Sequence, residues 1–85
     1  MKVQAKIFVT LKGSVLDPQG VAVTKALHAM KYDQVDDVRV GKYLEVVFTV
    51  DNDSQAHELV AKMCDQLLTN PVIEKYTYEL VEVFA

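Results

Sequence analysis

The hydrophobic pattern predicts an α+β sandwich with element order βαββαβ, a four-stranded antiparallel sheet carrying two helices on one face. Three observations lead there. Val3, Ala5, Ile7, Val9 and Leu11 alternate with Lys2, Gln4, Lys6, Phe8, Thr10 and Lys12, the period-two signature of a strand. Leu44, Val46, Phe48 and Val50 alternate in the same way with Tyr43, Glu45, Val47 and Thr49. Each of these strands neighbours a stretch whose apolar residues recur with helical spacing.

Taken in order, Gly13-Ser14 ends the first strand, and Asp17-Pro18-Gln19-Gly20 opens a helix. The Asp17 carboxylate accepts from free backbone N–H groups at the positive end of the helix dipole. Pro18 at the first helical position loses no hydrogen bond. Val23, Ala26, Leu27 and Met30 follow at i, i+3, i+4 and i+7, an inward stripe running to about Tyr32, with Val21, Lys25 and His28 on the opposite side. Val35 to Val40 reads as a short strand, and Gly41-Lys42 supplies the tight turn of a hairpin into Leu44–Val50. Asp51-Asn52-Asp53-Ser54 is rich in capping residues, with Asp53 or Ser54 expected at the N-cap. Ala56, Leu59, Val60, Met63, Cys64, Leu67 and Leu68 then form the strongest helical stripe. Asn70 suits a left-handed C-terminal position and Pro71 prevents continuation. In the last segment, Val72 to Phe84, Tyr76, Tyr78 and Leu80 fit one strand phase while Val81 and Val83 fit the other. That mismatch predicts a bulge near Leu80-Val81. Right-handed crossovers place both helices on one side of a sheet of order 4-1-3-2, the ferredoxin-like plan.

With 85 residues, 51% of them hydrophobic and 25% charged, the chain is read as one folded domain, 1–85. A chain this short buries only about 60–65% of its unfolded surface, so self-association or a partner is a natural expectation. A net charge of −3 opposes broad binding to nucleic acid or anionic membrane. Cys64 is the one cysteine, which leaves no internal disulfide or thiolate-built zinc site and suits a reducing compartment. The start of the chain alternates polar and apolar residues, unlike a signal peptide, and no apolar run reaches the roughly 18 residues that span a bilayer. The chain is therefore read as soluble and cytoplasmic.

Two helices cover one sheet face only. The other face is expected to carry Phe8, Thr10, Tyr43, Val47 and Thr49, joined by residues of the last strand, aromatic ones among them, and mixed with Lys6, Lys12 and Glu45. Large apolar groups among charges are typical of a surface that meets protein. Ordinary strand propensity is the competing explanation. Phe8, Lys12, Tyr43 and Val47 are the contact candidates on this reading.

No self-contained active site is legible. His28 and His57 lie on different helices without a cysteine or carboxylate at metal-ligand spacing. Cys64 falls inside an apolar stripe, where cysteine packs as a small hydrophobe. Asp36-Asp37 and Glu74, Glu79 and Glu82 read as solvated edges and not as an acid/base pair. Glycines at positions 13, 20 and 41 make no phosphate loop. An RNA-recognition surface fits Phe8 and Tyr43 but not Glu45 or the net negative charge. A module that senses a small metabolite on this fold is the alternative to an assembly role.

Three stretches in register resemble one family: Leu11-Lys12-Gly13-Ser14-Val15-Leu16-Asp17-Pro18-Gln19-Gly20, Val38-Arg39-Val40-Gly41-Lys42, and Cys64 to Glu74 with its Asn70-Pro71-Val72-Ile73-Glu74 end. Their order and spacing resemble the PurS family, the small subunit of phosphoribosylformylglycinamidine synthase, over nearly the whole chain. The resemblance implies a non-catalytic part of a glutamine-dependent ligase in de novo purine synthesis. It implies self-association as a dimer or tetramer, and a bridge between a synthetase subunit (PurL) and a glutaminase subunit (PurQ) that supports ammonia transfer. No cofactor is implied on this subunit, since ATP and magnesium act in the synthetase. Asp17, Pro18, Gly20, Gly41, Asn70 and Pro71 are the structural residues of the shared stretches. Asp17-Pro18 serves equally well as a cap or as a contact, whereas Asn70-Pro71 reads as a helix end. Gln19 on the exposed first turn, and Arg39 and Lys42 beside the turn, are the implied partner contacts.

Overall fold

The computed structural model describes residues 1–84. Three strands and two α-helices alternate as β1 (Lys2–Leu11), α1 (Pro18–Ala29), β2 (Gly41–Thr49), α2 (Asp53–Met63) and β3 (Glu74–Glu82). Both period-two segments of the sequence form strands, and β1 lies in the middle of an antiparallel sheet of order β2-β1-β3. Ile7 sits opposite Leu44 on one side and Tyr78 on the other. Alternation therefore sends Val3, Ala5, Ile7 and Val9 to one face, where each is essentially fully buried. Ala56, Val60 and Cys64 of the α2 segment pack on that face, between half-buried Leu44, Val46 and Phe48 of β2 and Tyr76, Tyr78 and Leu80 of β3.

Helix α2 starts where its cap chemistry is strongest, one residue earlier than expected. Asn52, not Asp53 or Ser54, is the N-cap: its side-chain oxygen accepts from the Gln55 N–H at 2.8 Å, and the Gln55 side chain accepts from the Asp51 N–H at 2.7 Å. At its C-terminal end the helix widens into a π-helical turn, Cys64–Leu68. The Thr69 N–H donates to the Cys64 carbonyl, five residues back, at 3.0 Å. That extra residue turns Leu67 out to solvent and keeps Leu68 half-buried, so the sequence stripe splits there.

The sheet has three strands, not four, and Val35–Val40 is not a strand. Its backbone groups are claimed by the α1 side of the molecule. Val35 donates its N–H to the Tyr32 carbonyl, the Val35 carbonyl meets His28 Nε2 at 2.7 Å, and the Val40 N–H donates to Asp17 Oδ2 at 2.8 Å. No hairpin forms about Gly41-Lys42; Gly41 instead opens β2. The three strands that do form keep the neighbour order of the 4-1-3-2 plan, leaving the outer edge of β2 unpaired.

The stripe on α1 does not face inward. Gly20 is its one buried residue, Val23 and Met30 are 41% and 64% exposed, and neither core cluster contains an α1 side chain. Helix α1 and the segment after it form an arm that projects from the sheet. The radius of gyration, 16.7 Å against about 12 Å for a compact chain of this length, and a longest dimension of 52 Å record that projection.

Two smaller expectations also give way. β3 pairs with β1 in unbroken register from Glu74 to Glu82, without a bulge at Leu80-Val81, so Leu80 points inward and Val81 outward. Asn70 is not the left-handed residue; that backbone falls at Lys31 (φ 75°), after the end of α1. Asn70 closes a side-chain turn, accepting from the Val72 N–H at 3.1 Å, and its carbonyl accepts from the Glu74 N–H at 2.7 Å.

The small core gives each central residue a large share of stability. Ile7→Ala should cost about 2–5 kcal/mol in urea unfolding, whereas Val23→Ala on the exposed arm should cost less than about 1 kcal/mol in the dissociated chain. Equal costs would contradict the arm's position.

Candidate functional site

The chemistry-bearing side chains are spent on structure. His57 Nδ1 shares a hydrogen bond of 2.9 Å with the Tyr78 hydroxyl, and its Nε2 lies 3.4 Å from Asp53. Cys64 is fully buried, and burial, then the nearby Asp65 charge, pushes its thiol pKa up, away from the reactive thiolate. Among the described residues no group of three His, Cys, Asp or Glu side chains is placed to hold a metal ion. No helix among them is long and apolar enough to cross a membrane.

What remains is surface, and it falls into two regions. The first lies where the arm leaves the sheet. Asp17 caps α1 through Oδ1, which accepts from the Gly20 N–H at 2.9 Å, and holds the returning chain through Oδ2 on the Val40 N–H. These two donors, Val40 first, keep its carboxyl below the ordinary 3.8; the Arg39 charge adds to them and burial opposes them. Gly20 is needed here because a Cβ would overlap the Val38 carbonyl oxygen, and Gly41 because one would overlap that of Val9. Arg39 donates to the Lys12 carbonyl at 3.1 Å and to that of Leu11 at 3.4 Å. Lys42 lies 3.9 Å from Glu74, which also accepts the Asn70 N–H at 2.7 Å. Asp17, Gln19, Lys42 and Glu74, with Val9, Leu11 and Val40, line a cleft of about 280 Å³, whereas Arg39 lines a separate one with Ser14, Asp37 and Val38.

The second region is the outer face of the sheet. Phe8 and Tyr43, opposite each other in register, pack with ring centroids 5.0 Å apart. Phe8, Tyr43, Val47 and Val81 are each 41–55% exposed. Lys6 lies between Glu45 and Glu79 in the cross-strand row, and Gln4 donates to Glu45. Burial, then Glu45, raises the Tyr43 pKa above the ordinary phenol value.

The structure thus divides the sequence-derived contact residues. Gln19 and Lys42 line one cleft at the arm base, Arg39 reaches the Leu11 and Lys12 carbonyls and lines another, and Phe8, Tyr43 and Val47 share the outer face. Asn70 and Pro71 lie behind the first region, where Asn70 anchors Glu74. The aromatic residues of the last strand do not join the outer face as expected: Tyr76 and Tyr78 pack on the core side, and Val81, whose phase the expected bulge obscured, lies on the outer face instead. Sequence reasoning missed the exposed side of α1, whose stripe shows a need for cover without showing what supplies it.

Comparison with known proteins gives one consistent result. A family model described as PurS, phosphoribosylformylglycinamidine (FGAM) synthase, matches residues 4–82. The chain is 52% identical over 82 residues to the phosphoribosylformylglycinamidine synthase subunit PurS of Bacillus subtilis, covering 96% of each sequence. It superposes on the B. subtilis PurS crystal structure with a TM-score of 0.81, covering 94% of this chain and 99% of that one. A chain in the structure of PurLQS from Thermotoga maritima, 31% identical, superposes with a TM-score of 0.86, covering 95% and 99%.

The Asp17 carboxylate makes stability depend on acid. A carboxyl whose folded pKa lies below its unfolded value contributes stability above the unfolded value and loses it as pH falls through the folded one. Unfolding free energy should therefore fall as pH drops below about 3.8, and the decline should be shallower in Asp17→Asn, already weaker at pH 7. Parallel acid profiles for the two proteins would contradict the capping role.

Proposed function

The chain belongs to the PurS family, and from that premise we propose that it is a non-catalytic assembly subunit of phosphoribosylformylglycinamidine synthase in de novo purine biosynthesis. The synthase converts formylglycinamide ribonucleotide, glutamine and ATP to formylglycinamidine ribonucleotide, glutamate, ADP and phosphate. In this reading a glutaminase subunit, PurQ, releases ammonia, and a synthetase subunit, PurL, uses ATP and magnesium to activate the amide oxygen that ammonia displaces. This chain holds the two together in the cytoplasm, self-associates as a dimer or tetramer, and carries no cofactor.

One observation supports the reading above the others: the apolar surface left open on a very small fold. Phe8, Tyr43, Val47 and Val81 lie on one side and Val23 and Met30 on the arm, while the histidines and the thiol are used internally. Exposed apolar patches of this kind mark protein contacts. A bridge needs at least two separate contact surfaces, and the outer sheet face and the arm are two. The PurLQS assembly of T. maritima, in which a chain of the same fold is found, supports the same partners.

Size-exclusion chromatography of the three proteins tests the proposal. Synthetase and glutaminase should co-elute only when this chain is added; co-elution without it would overturn the assembly role. For self-association, Phe8→Glu or Val47→Glu should raise the dissociation constant by about 5- to 150-fold, because an uncompensated polar group at a buried contact costs about 1–3 kcal/mol. Sedimentation at several concentrations reads this, and an unchanged oligomer in a folded variant would count against the outer face as the contact.

A further inference from the structure

The chain exposes 6010 Å², about 1,000 Å² more than the roughly 5,000 Å² expected of a compact chain of 9.5 kDa. The surplus goes with the projecting arm. On α1, Val23, Ala26 and Met30 are exposed and Leu27 is half-buried, a stripe that a helix can bury only against another element. The inner face of the sheet has the matching shortage. Helix α2 is tied to β3, where His57 meets the Tyr78 hydroxyl. At about 100° per residue, Leu59 and Met63 lie on its other flank, toward β2. With Leu44, Val46 and Phe48 of β2 they form an apolar ledge that is only half-buried. The second helix that the sequence pattern places on this face would lie there, yet neither core cluster contains an α1 side chain.

We infer that two copies of this chain exchange arms, the α1 stripe of each lying on the ledge between α2 and β2 of the other. The inference rests on the self-association proposed above and gives it a contact. The surplus of about 1,000 Å² on each chain matches the roughly 800 Å² per partner that a stable interface of standard size buries. Reciprocity selects a second copy over a larger subunit. A foreign partner would cover α1 and leave the ledge open. Two-fold exchange closes both, because every chain brings one bare helix and one bare ledge. Neither surface contains a charged side chain that the contact would bury unpaired. The outer sheet face stays open on such a pair, available for the further association of pairs into a tetramer.

Methyl NMR on the full chain tests the exchange. Chain labelled with carbon-13 at its Val, Leu and Met methyls is mixed with unlabelled chain, and isotope filtering keeps only the cross-peaks between copies. Val23, Leu27 and Met30 should give cross-peaks to Phe48, Leu59 and Met63 of the other copy. In sedimentation, Met30→Glu should raise the dissociation constant of the pair by about 5- to 150-fold with an unchanged circular dichroism spectrum, since Met30 is 64% exposed on the single chain. Cross-peaks from α1 only to Phe8 and Val47, or only to α1 of the other copy, overturn the inference while self-association stands. An unchanged dissociation constant in Met30→Glu does the same. Contacts of α1 that appear only when a larger subunit is added assign the helix to that subunit and overturn the inference as well. A chain that stays monomeric at every concentration removes the self-association reading, and this inference with it.

Discussion

The Asp17 carboxylate accepts the Gly20 N–H with one oxygen and the Val40 N–H with the other, and so fixes where the chain leaves the sheet and where it returns. Everything between those two points is held as an arm. The arm keeps its own hydrogen bonds, His28 to the Val35 carbonyl and Val35 N–H to Tyr32, and asks little of the sheet. With Val35 tied to Tyr32 and His28 and Val40 tied to Asp17, residues 35–40 stay with α1 and do not lie along β2. The missing fourth strand and the exposed stripe on α1 both belong to the arm that leaves and returns at this buried acid.

A further consequence is energetic. One helix covers the inner face of a three-stranded sheet, and the fully buried set is confined to β1, Val50 and the Ala56, Val60 and Cys64 row. Folding has to offset a conformational entropy cost of about 1–2 kcal/mol for each backbone residue. A chain with so few buried side chains therefore gains disproportionately from further cover. Helix α1, the outer sheet face and the open edge of β2 are all apolar or hydrogen-bonding surfaces that association would satisfy. The same shortage that limits stability supplies the surface for assembly.

How much of this was legible in the sequence follows from how local each cause is. β1 and β2 were legible because alternation over nine or ten residues admits one pleated solution. The Asp17-Pro18 start was legible because capping acts within three residues. Val35–Val40 was not, since its alternating valines satisfy a strand pattern while the competing partners, His28 and Asp17, lie 7 and 23 residues away. The outer-face residues Phe8, Tyr43 and Val47 could be named from strand phase alone. The cleft could not, because no pattern in a linear chain places Gln19, Lys42 and Glu74 around one opening. Val81 was lost to a predicted bulge that the ladder between β1 and β3 does not contain.

The central claim is that this chain contributes contacts and no chemistry, and the nitrogen source of the reaction separates the two. Formylglycinamidine ribonucleotide formation would be followed with the synthetase and glutaminase, with and without this chain, supplying either glutamine or free ammonium. The account predicts that glutamine-driven turnover collapses when the chain is withheld while ammonium-driven turnover persists. An ammonium-driven reaction that depends on the chain to the same degree would contradict it, and would place this subunit in the chemical step.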